Sequence, residues 1–464
     1  MINFFRSNTI FGLIVLGVLF FSLRLFMFLQ ASELQIWEIK FLALAEQINQ
    51  GKWLYVDIWD NTAPLSALVY AFLYMLFGKT NEVYWALSAL LVFIQALQWN
   101  YWLIKTKMYQ ERNQVPIIIY LLLASVWIDS YSLSPILLAN SFLIGALGNL
   151  LLHINDQDSR EKSFEIGLLV GVASMFHLPS VLFLVAFVLI FLLLSATKLK
   201  GYVLLLLGAI LPFVLLGLIF YFKNAFQTFV QYFVLGYFST TQFALLDILN
   251  FLLLLAFPAF LTILGILALL QSAAFINYQV RCQQALIFAL LFGLLAFVFD
   301  KSLGIFSSAV IWSIMSFFVA HFFLLFKKRW LRNSVFVVFA FITTFVGNAF
   351  FFKVYPKEFF TYLSPPNKIT YPNIRNKKIW ILGEKWEWYA HNQAISPFFD
   401  WQLSKYYLEN IDYYEVQIFI YEKITKESPD MIVGNRNVIE NIMQKIPALA
   451  ALYQRKDAYW EKIK

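Results

Sequence analysis

Apolar runs long enough to cross a lipid bilayer recur along this chain between residues 9 and 352, and they dictate what it can become. About 20 apolar residues in a helix match a hydrocarbon core of ~30 Å, and in that core each backbone polar group must find its partner within the segment. Candidate spans cover 9–30, 82–104, 115–130, 133–153, 164–176 with 178–197, 201–222, 243–270, 284–299, 303–326 and 333–352. The composition agrees: 61% of residues are hydrophobic and 13% charged, against about 25% charged in a soluble domain. The expected fold class is an all-α polytopic membrane bundle of about eleven helices, followed by a small α/β domain.

A net charge of +8 invites a nucleic-acid reading, but no stretch combines basic clusters with stacking aromatics. Basic residues of membrane proteins set orientation and meet anionic headgroups, so the expected partners are membrane lipids and not nucleic acid. The single cysteine, Cys282, excludes an intrachain disulfide, and is expected as a solvated thiol in a cytoplasmic loop. The N-terminal apolar run continues past Arg24 to Leu29 without a small-residue cleavage site, so it reads as an uncleaved first helix.

Topology follows from the basic residues. The apolar stretch 64–78 is short for a span. If it dips in and returns, Lys105, Lys107, Arg112, Arg160, Lys162, Lys198, Lys200, Arg281 and the cluster Lys327-Lys328-Arg329 with Arg332 all fall on the side of Arg6, as the positive-inside rule requires. Residues 31–81 then form one external segment that carries Glu33, Glu38, Glu46, Asp57 and Asp60, with Glu82 just past its end. Within it, Gln35 to Ile48 has apolar residues at helical spacing and predicts an amphipathic helix on the bilayer, stopped by Gly51.

Character changes after residue 352. From Lys353 onward there are sixteen Lys/Arg and thirteen Asp/Glu, and no candidate span. Pro365, Pro366 and Pro372 mark a linker; 378–382 and 431–433 read as strands, and 411–424 and 437–444 as helices. The expected organisation is a bundle over 1–352 including the external loop 31–81, and an external α/β domain over 353–464.

The run Glu38, twelve residues, Gly51-Lys52-Trp53-Leu54-Tyr55-Val56-Asp57, six residues, Pro64-Leu65 resembles the first external loop of the GT-C glycosyltransferases, in their protein-mannosyltransferase and lipid A aminoarabinose-transferase branches. Phe77-Gly78 fits the end of that loop's helix, and Ser428-Pro429-Asp430 to Val433 with Ile446-Pro447 to Tyr453 is similar to the tail of bacterial members. The middle, Leu133 to Asn140 and Gly167 to Leu184, also resembles an uncharacterised integral-membrane family of Bacteroidetes.

The resemblance implies transfer of a sugar from a polyprenyl-phosphate carrier to a protein, lipid or glycan acceptor at the outer face of a bacterial inner membrane, with no cofactor. An acceptor hydroxyl that attacks the anomeric carbon must lose a proton, so a carboxylate belongs beside it. The lipid phosphate that leaves needs cationic or hydrogen-bonding neighbours. On this reading Glu38 is the general base, Asp57 orients the loop or the acceptor, and Arg24, Lys301 and His177 face the donor phosphate. Three positions depart from the family pattern: Trp37 stands where an Asp is usual, Pro135 occupies a region that often holds an acid, and Ser307-Ser308 replace a polar pair. An inactive GT-C-like scaffold whose C-terminal domain binds a partner is the alternative; a transporter fits less well, because no broken-helix pair recurs between halves.

The bland readings of these residues are equally explicit. Arg24, inside a span, either faces the bundle or snorkels to the interface. His177, between two short apolar helices, caps the break by bonding a freed carbonyl. Asp300 and Lys301 pair with each other, and Asp57 bonds nearby amides of its own turn. The four histidines, His153, His177, His321 and His391, lack ligand spacing, so no metal site is expected.

Overall fold

The computed structural model describes residues 2–30, 36–126, 128–156, 159–238, 245–272, 275–300, 305–326, 328–346, 374–383, 385–456 and 459–463. In chain order its main helices are α1 (Ile10–Gln30), α2 (Ile36–Asn49), α3 (Pro64–Phe77), α4 (Asn81–Lys105), α5 (Val115–Leu123), α6 (Pro135–Asn155), α7 (Arg160–Phe176), α8 (Leu182–Leu194), α9 (Leu199–Phe222), α10 (Leu245–Leu270), α11 (Asn277–Val298), α12 (Ala309–Leu325), α13 (Arg329–Phe341), α14 (Trp401–Glu409), α15 (Tyr414–Glu427) and α16 (Arg436–Lys445). Among the described residues α1, α4, α6, α9 and α11 are long and apolar enough to cross a membrane, and shorter apolar helices of 10–17 residues accompany them. This is a multi-pass membrane protein of mainly helical fold, with a small mixed sheet near its C-terminus.

Two compact units are interleaved along the chain. One comprises Met1–Glu33, Asn81–Leu215 and Gln242–Ser364; the other comprises Leu34–Thr80, Leu216–Thr241 and Pro365–Lys464. The loop after α1 therefore shares a unit with the C-terminal segment.

In the first unit, small residues set the helix spacing. A Cβ added to Gly167 of α7 would lie 1.9 Å from the carbonyl oxygen of Leu205 in α9, and one at Gly171 would lie 2.4 Å from that of Ala209. One at Gly208 of α9 would meet Phe164 O at 2.3 Å, so only glycine permits this approach. Gly167 and Gly171 form the small-xxx-small spacing that lets helix backbones touch in lipid, where no hydrophobic force draws helices together. Between α4, α5 and α6 a buried polar network adds direction: the Tyr120 hydroxyl donates to Gln95 Oε1 (2.8 Å), Asn140 Nδ2 donates to Tyr120 (2.8 Å), and Gln95 Nε2 donates to Leu137 O (2.6 Å).

Three expectations change here. The span expected over 115–130 is a helix of only nine residues, Val115–Leu123, followed by a turn at Ile128–Tyr131. Cys282 is buried inside α11, not in a loop, because the helix begins at Asn277. There Gln279 accepts from Ile276 N (3.2 Å) and donates to Lys107 O (2.7 Å), fixing the helix start ahead of the apolar run. Helix α2 is buried on most of its surface instead of lying on a bilayer: Glu38, Ile39, Leu42 to Ala45 and Gln47 are all buried. Its apolar residues surround the axis, which is the pattern of an enclosed helix.

The second unit packs α2 against α3 and against the C-terminal segment, where Gln47 Nε2 donates to Ile395 O (3.1 Å). The sheet order is β2-β1-β3-β5-β4, with β1 (Lys378–Leu382) parallel to β2 (Gln393–Ala394) and β3 (Met431–Gly434), and β5 (Tyr459–Lys462) antiparallel to β3 and β4 (Tyr453–Arg455). Strands β1 and β3 are central and buried, as continuous Ile-Trp-Ile-Leu and Met-Ile-Val runs require.

Candidate functional site

Helix α2 carries Glu38 and Lys40, and in the second unit the two have different surroundings. Glu38 is buried in the first turn. Lys40 Nζ sits 3.1 Å from Asp60 Oδ2 and 3.1 Å from Asp400 Oδ2, and 5.2 Å above the Trp386 ring. Asp60 is fully buried, and its Oδ1 accepts from Thr62 N (2.6 Å) in a tight Asx turn. The other oxygen of Asp400 accepts from Gln402 N (2.9 Å) and Leu403 N (3.3 Å), capping α14. Burial alone would lower the lysine, but the two carboxylates outweigh it and hold the ammonium above its ordinary value. Burial and the Asp400 charge raise Asp60 above the ordinary carboxylate range against the opposing pull of Lys40. One cation between two carboxylates leaves the cluster anionic when all three are charged, so it repels phosphate and is suited to ordering hydroxyls.

The loop from α2 to α3 is held from both sides. Tyr55 takes a left-handed backbone (φ +66°), is fully buried among Phe220, Phe229 and Phe233, and donates its hydroxyl to Thr62 O (2.5 Å). Burial, with Asp60 nearby, pushes that phenol up, so it stays a donor. Trp59 N donates to Pro397 O (2.9 Å), Asp400 N donates to Trp59 O (3.0 Å), and the Trp59 ring stacks on Phe419. Lys52–Glu427 (2.9 Å) and Lys79–Glu46 (2.8 Å) add two ion pairs. Asp57 lies exposed at the tip, where its Oδ2 accepts from Trp53 N (2.9 Å) while its own N–H donates to Trp53 O (2.8 Å).

In the first unit, Arg24 faces the bundle and does not snorkel. It is buried, donates to Ala124 O (2.8 Å) and Ser130 O (3.1 Å), and lies 4.0 Å over the Tyr131 ring. His177 interrupts α7 and α8 as expected, but its ring bonds side chains and not a freed carbonyl. Nδ1 meets Ser180 Oγ at 3.2 Å, and Nε2 lies 3.2 Å from Asp300 Oδ2. The same carboxylate oxygen accepts from Ser307 Oγ (2.5 Å). A carboxylate this close to the imidazole competes with a phosphate for the ring.

The residues expected to form one site therefore fall in two groups. Glu38 and Asp57 belong to the second unit; Arg24 and His177 belong to the first, each with its own set of partners. Lys301 and Glu33 lie outside the described residues. The Lys40–Asp60–Asp400 cluster and the His177–Asp300–Ser307 constellation were not anticipated. The available signal was a lysine within the apolar face-all-round helix α2 and an Asp-Asn-Thr turn at 60–62. Among the described residues no group of three His, Cys, Asp or Glu side chains is arranged to hold a metal ion.

No protein-family model matches the sequence, and no curated protein matches it. The fold, however, is similar to that of the oligosaccharyltransferase of Archaeoglobus fulgidus in its apo crystal form, with a TM-score of 0.53 and 11% identity over 90% of this chain and 68% of that one. The crystal structure of that oligosaccharyltransferase tethered by a disulfide to an acceptor peptide with the NVT sequon gives a TM-score of 0.51 and 10% identity over 98% and 74% of the two chains. At such identities the likeness is one of fold alone: a helical membrane bundle followed by a C-terminal domain.

Proposed function

We propose that this protein is a glycosyltransferase of a bacterial inner membrane, with its C-terminal domain outside, that moves a sugar from a polyprenyl-phosphate carrier to an acceptor hydroxyl or amide. The observation that supports the reading most is the GT-C likeness over 90% of the chain, joined to the Glu38-to-Pro64 motif on α2 and α3. In this reading Glu38 takes the proton from the acceptor as it attacks the anomeric carbon. Arg24, with its charge fixed by two carbonyls, and Lys301 stabilise the phosphate as it leaves. His177, beside Asp300, is the third group on the phosphate side. Asp57 orients the loop or the acceptor from the loop tip, where it accepts from Trp53 N.

A second reading has its own support. Asp57, Asp60 and Asp400 are all engaged in turn, ion-pair or capping contacts, as suits a scaffold that kept the bundle and lost the chemistry. The two readings part on Glu38→Gln. For an enzyme, this variant accumulates normally and still binds polyprenyl-phosphate lipid, while transfer of radiolabelled sugar from that lipid falls by about 10²–10⁴-fold. Undiminished transfer by Glu38→Gln removes Glu38 as the base; a wild-type protein that binds no polyprenyl phosphate removes the enzyme reading.

A further inference from the structure

A separate cluster of charge lies in the first unit, where the residues before α1 meet the start of α13. The Arg6 side chain donates from Nη2 to Leu324 O (2.9 Å), and Arg332 donates from Nη1 to Phe326 O (3.4 Å), so both guanidiniums gather at the last turn of α12. Neither is loosely placed. Gln114 N donates to Phe5 O (2.8 Å) and Gln114 Nε2 donates to Thr9 O (2.7 Å), which clamps the backbone on both sides of Arg6. Arg332 is only 2% exposed. The charges acting on it include those of Arg6 and Arg329, both positive.

Helix electrostatics make this arrangement costlier. Lys328 and Arg329 open α13, and no acidic residue lies in its first turn. The positive end of a helix dipole disfavours cations there, and like charges one turn apart, as in Arg329 and Arg332, repel. Carbonyls at the end of α12 offset part of the repulsion. A phosphate would offset far more, since it can bridge several guanidiniums in charge-assisted, forked hydrogen bonds. Beside the cluster, Trp330 is 79% exposed and Phe4 is 44% exposed, the side-chain types that settle at a headgroup layer.

We propose that Arg6 and Arg329, backed by the buried charge of Arg332, form a binding site for the phosphate of an anionic phospholipid, at the membrane face to which the basic residues of the chain point. The lipid's acyl chains then run along the apolar surfaces of α1 and α13, where Phe11, Ile14, Val337 and Phe341 are exposed. The site is independent of the transferase reading, which concerns other residues. Its ligand is held by headgroup charge and not by sugar chemistry.

Native mass spectrometry of the detergent-purified full chain tests it, with phosphatidylglycerol, phosphatidylcholine and inorganic phosphate as probes. Phosphatidylglycerol adducts should survive at collision energies that strip phosphatidylcholine. Arg6→Gln and Arg329→Gln should each weaken phosphatidylglycerol binding about fivefold, near the value of one juxtamembrane charge, and the double variant should weaken it further. Arg6→Lys should keep most of it, and Lys198→Gln, in another basic loop, should keep all of it. Arg329 is exposed, so its variant folds even if Arg6→Gln does not. Equal retention of both lipids, or unchanged phosphatidylglycerol binding in Arg329→Gln and Arg6→Gln, overturns the site. Full displacement of the lipid by millimolar inorganic phosphate reassigns it to a soluble anion and overturns the lipid assignment.

Discussion

Replacing Lys40 by methionine should loosen the second unit more than any other single charge deletion in it. Methionine keeps the stem and removes the charge, leaving Asp60 and Asp400 without the cation that lies 3.1 Å from each. Breaking a buried ion pair from one side costs about 3–5 kcal/mol. The Lys40 side chain retains 14% exposure, so some water reaches the cluster and the lower end, about 3 kcal/mol, is expected. For a unit of this size that corresponds to a fall in Tm of about 6–12 °C, read as tryptophan emission during a thermal ramp in detergent, with Trp386 directly under the lysine. The pH dependence gives a sharper signature. Asp60 already sits above its ordinary value when folded, so the folded state takes up a proton before the unfolded chain does. Stability from this group is present in acid and is lost as pH rises through the raised value. Removing Lys40 raises Asp60 further, so the deficit of the variant should be largest near pH 8 and shrink toward about pH 5. Lys40→Met/Asp60→Asn, which removes the cation and the more deeply buried of its two carboxylates, should regain at least half of the lost Tm. A single variant within about 2 °C of wild type, an equal deficit at both pH values, or a double variant no better than the single would each refute the reasoning.

Gly167→Leu should prevent accumulation in the membrane, because its Cβ would enter Leu205 O at 1.9 Å; Gly17→Leu, whose nearest neighbour is a Phe93 ring edge at 3.5 Å, should be tolerated, as a blot of membrane fractions will show. Cys282, fully buried in α11, should resist maleimide labelling in detergent at neutral pH and label fully once denatured in SDS. Asp57→Ala removes one exposed acceptor to Trp53 N and should cost about 1 kcal/mol, a Tm change of a few degrees, without abolishing any transfer activity that the wild type displays.

Local chemistry was legible in the sequence where one segment decides its own fate. The strand at 378–382 is found with those bounds, and that at 431–433 extends by one residue to Gly434, because unbroken β-formers between polar flanks have few other ways to be buried. The helix expected over 437–444 runs Arg436–Lys445, with Asn435 accepting from Asn437 N at its start. The helix expected over 411–424 instead runs Tyr414–Glu427: Ile411 is buried in the turn before it, held by Gln417 Nε2 donating to Ile411 O (2.9 Å). The hairpin β4–β5, the short β2 and α14 went unseen. Each is short, and strand Tyr459–Lys462 carries two charges, so its pairing with β3 and β4 gives it identity.

What no local pattern can supply is the partner of a charge. Lys40 and Asp400 are separated by 360 positions, and neither neighbourhood hints at the other. Six acids lie between residues 31 and 82, and three of those other than Glu38 have a mechanical role. Glu46 meets Lys79, Asp57 closes the Trp53 turn, Asp60 holds Lys40, and Glu82 is exposed in the first turn of α4. The contacts of Glu46, Asp57 and Asp60 stabilise the segment that carries Glu38, so the same observations that weaken these acids as catalysts strengthen the support beneath this one. A positioned base gains from such a rigid surround, because a carboxylate that must hold its place against an acceptor hydroxyl needs its helix fixed by other groups. A scaffold would need the rigidity and not the buried carboxylate. The burial of Glu38 on α2 is thus the feature on which the two readings divide: an isosteric amide at that position keeps the packing and removes only the base.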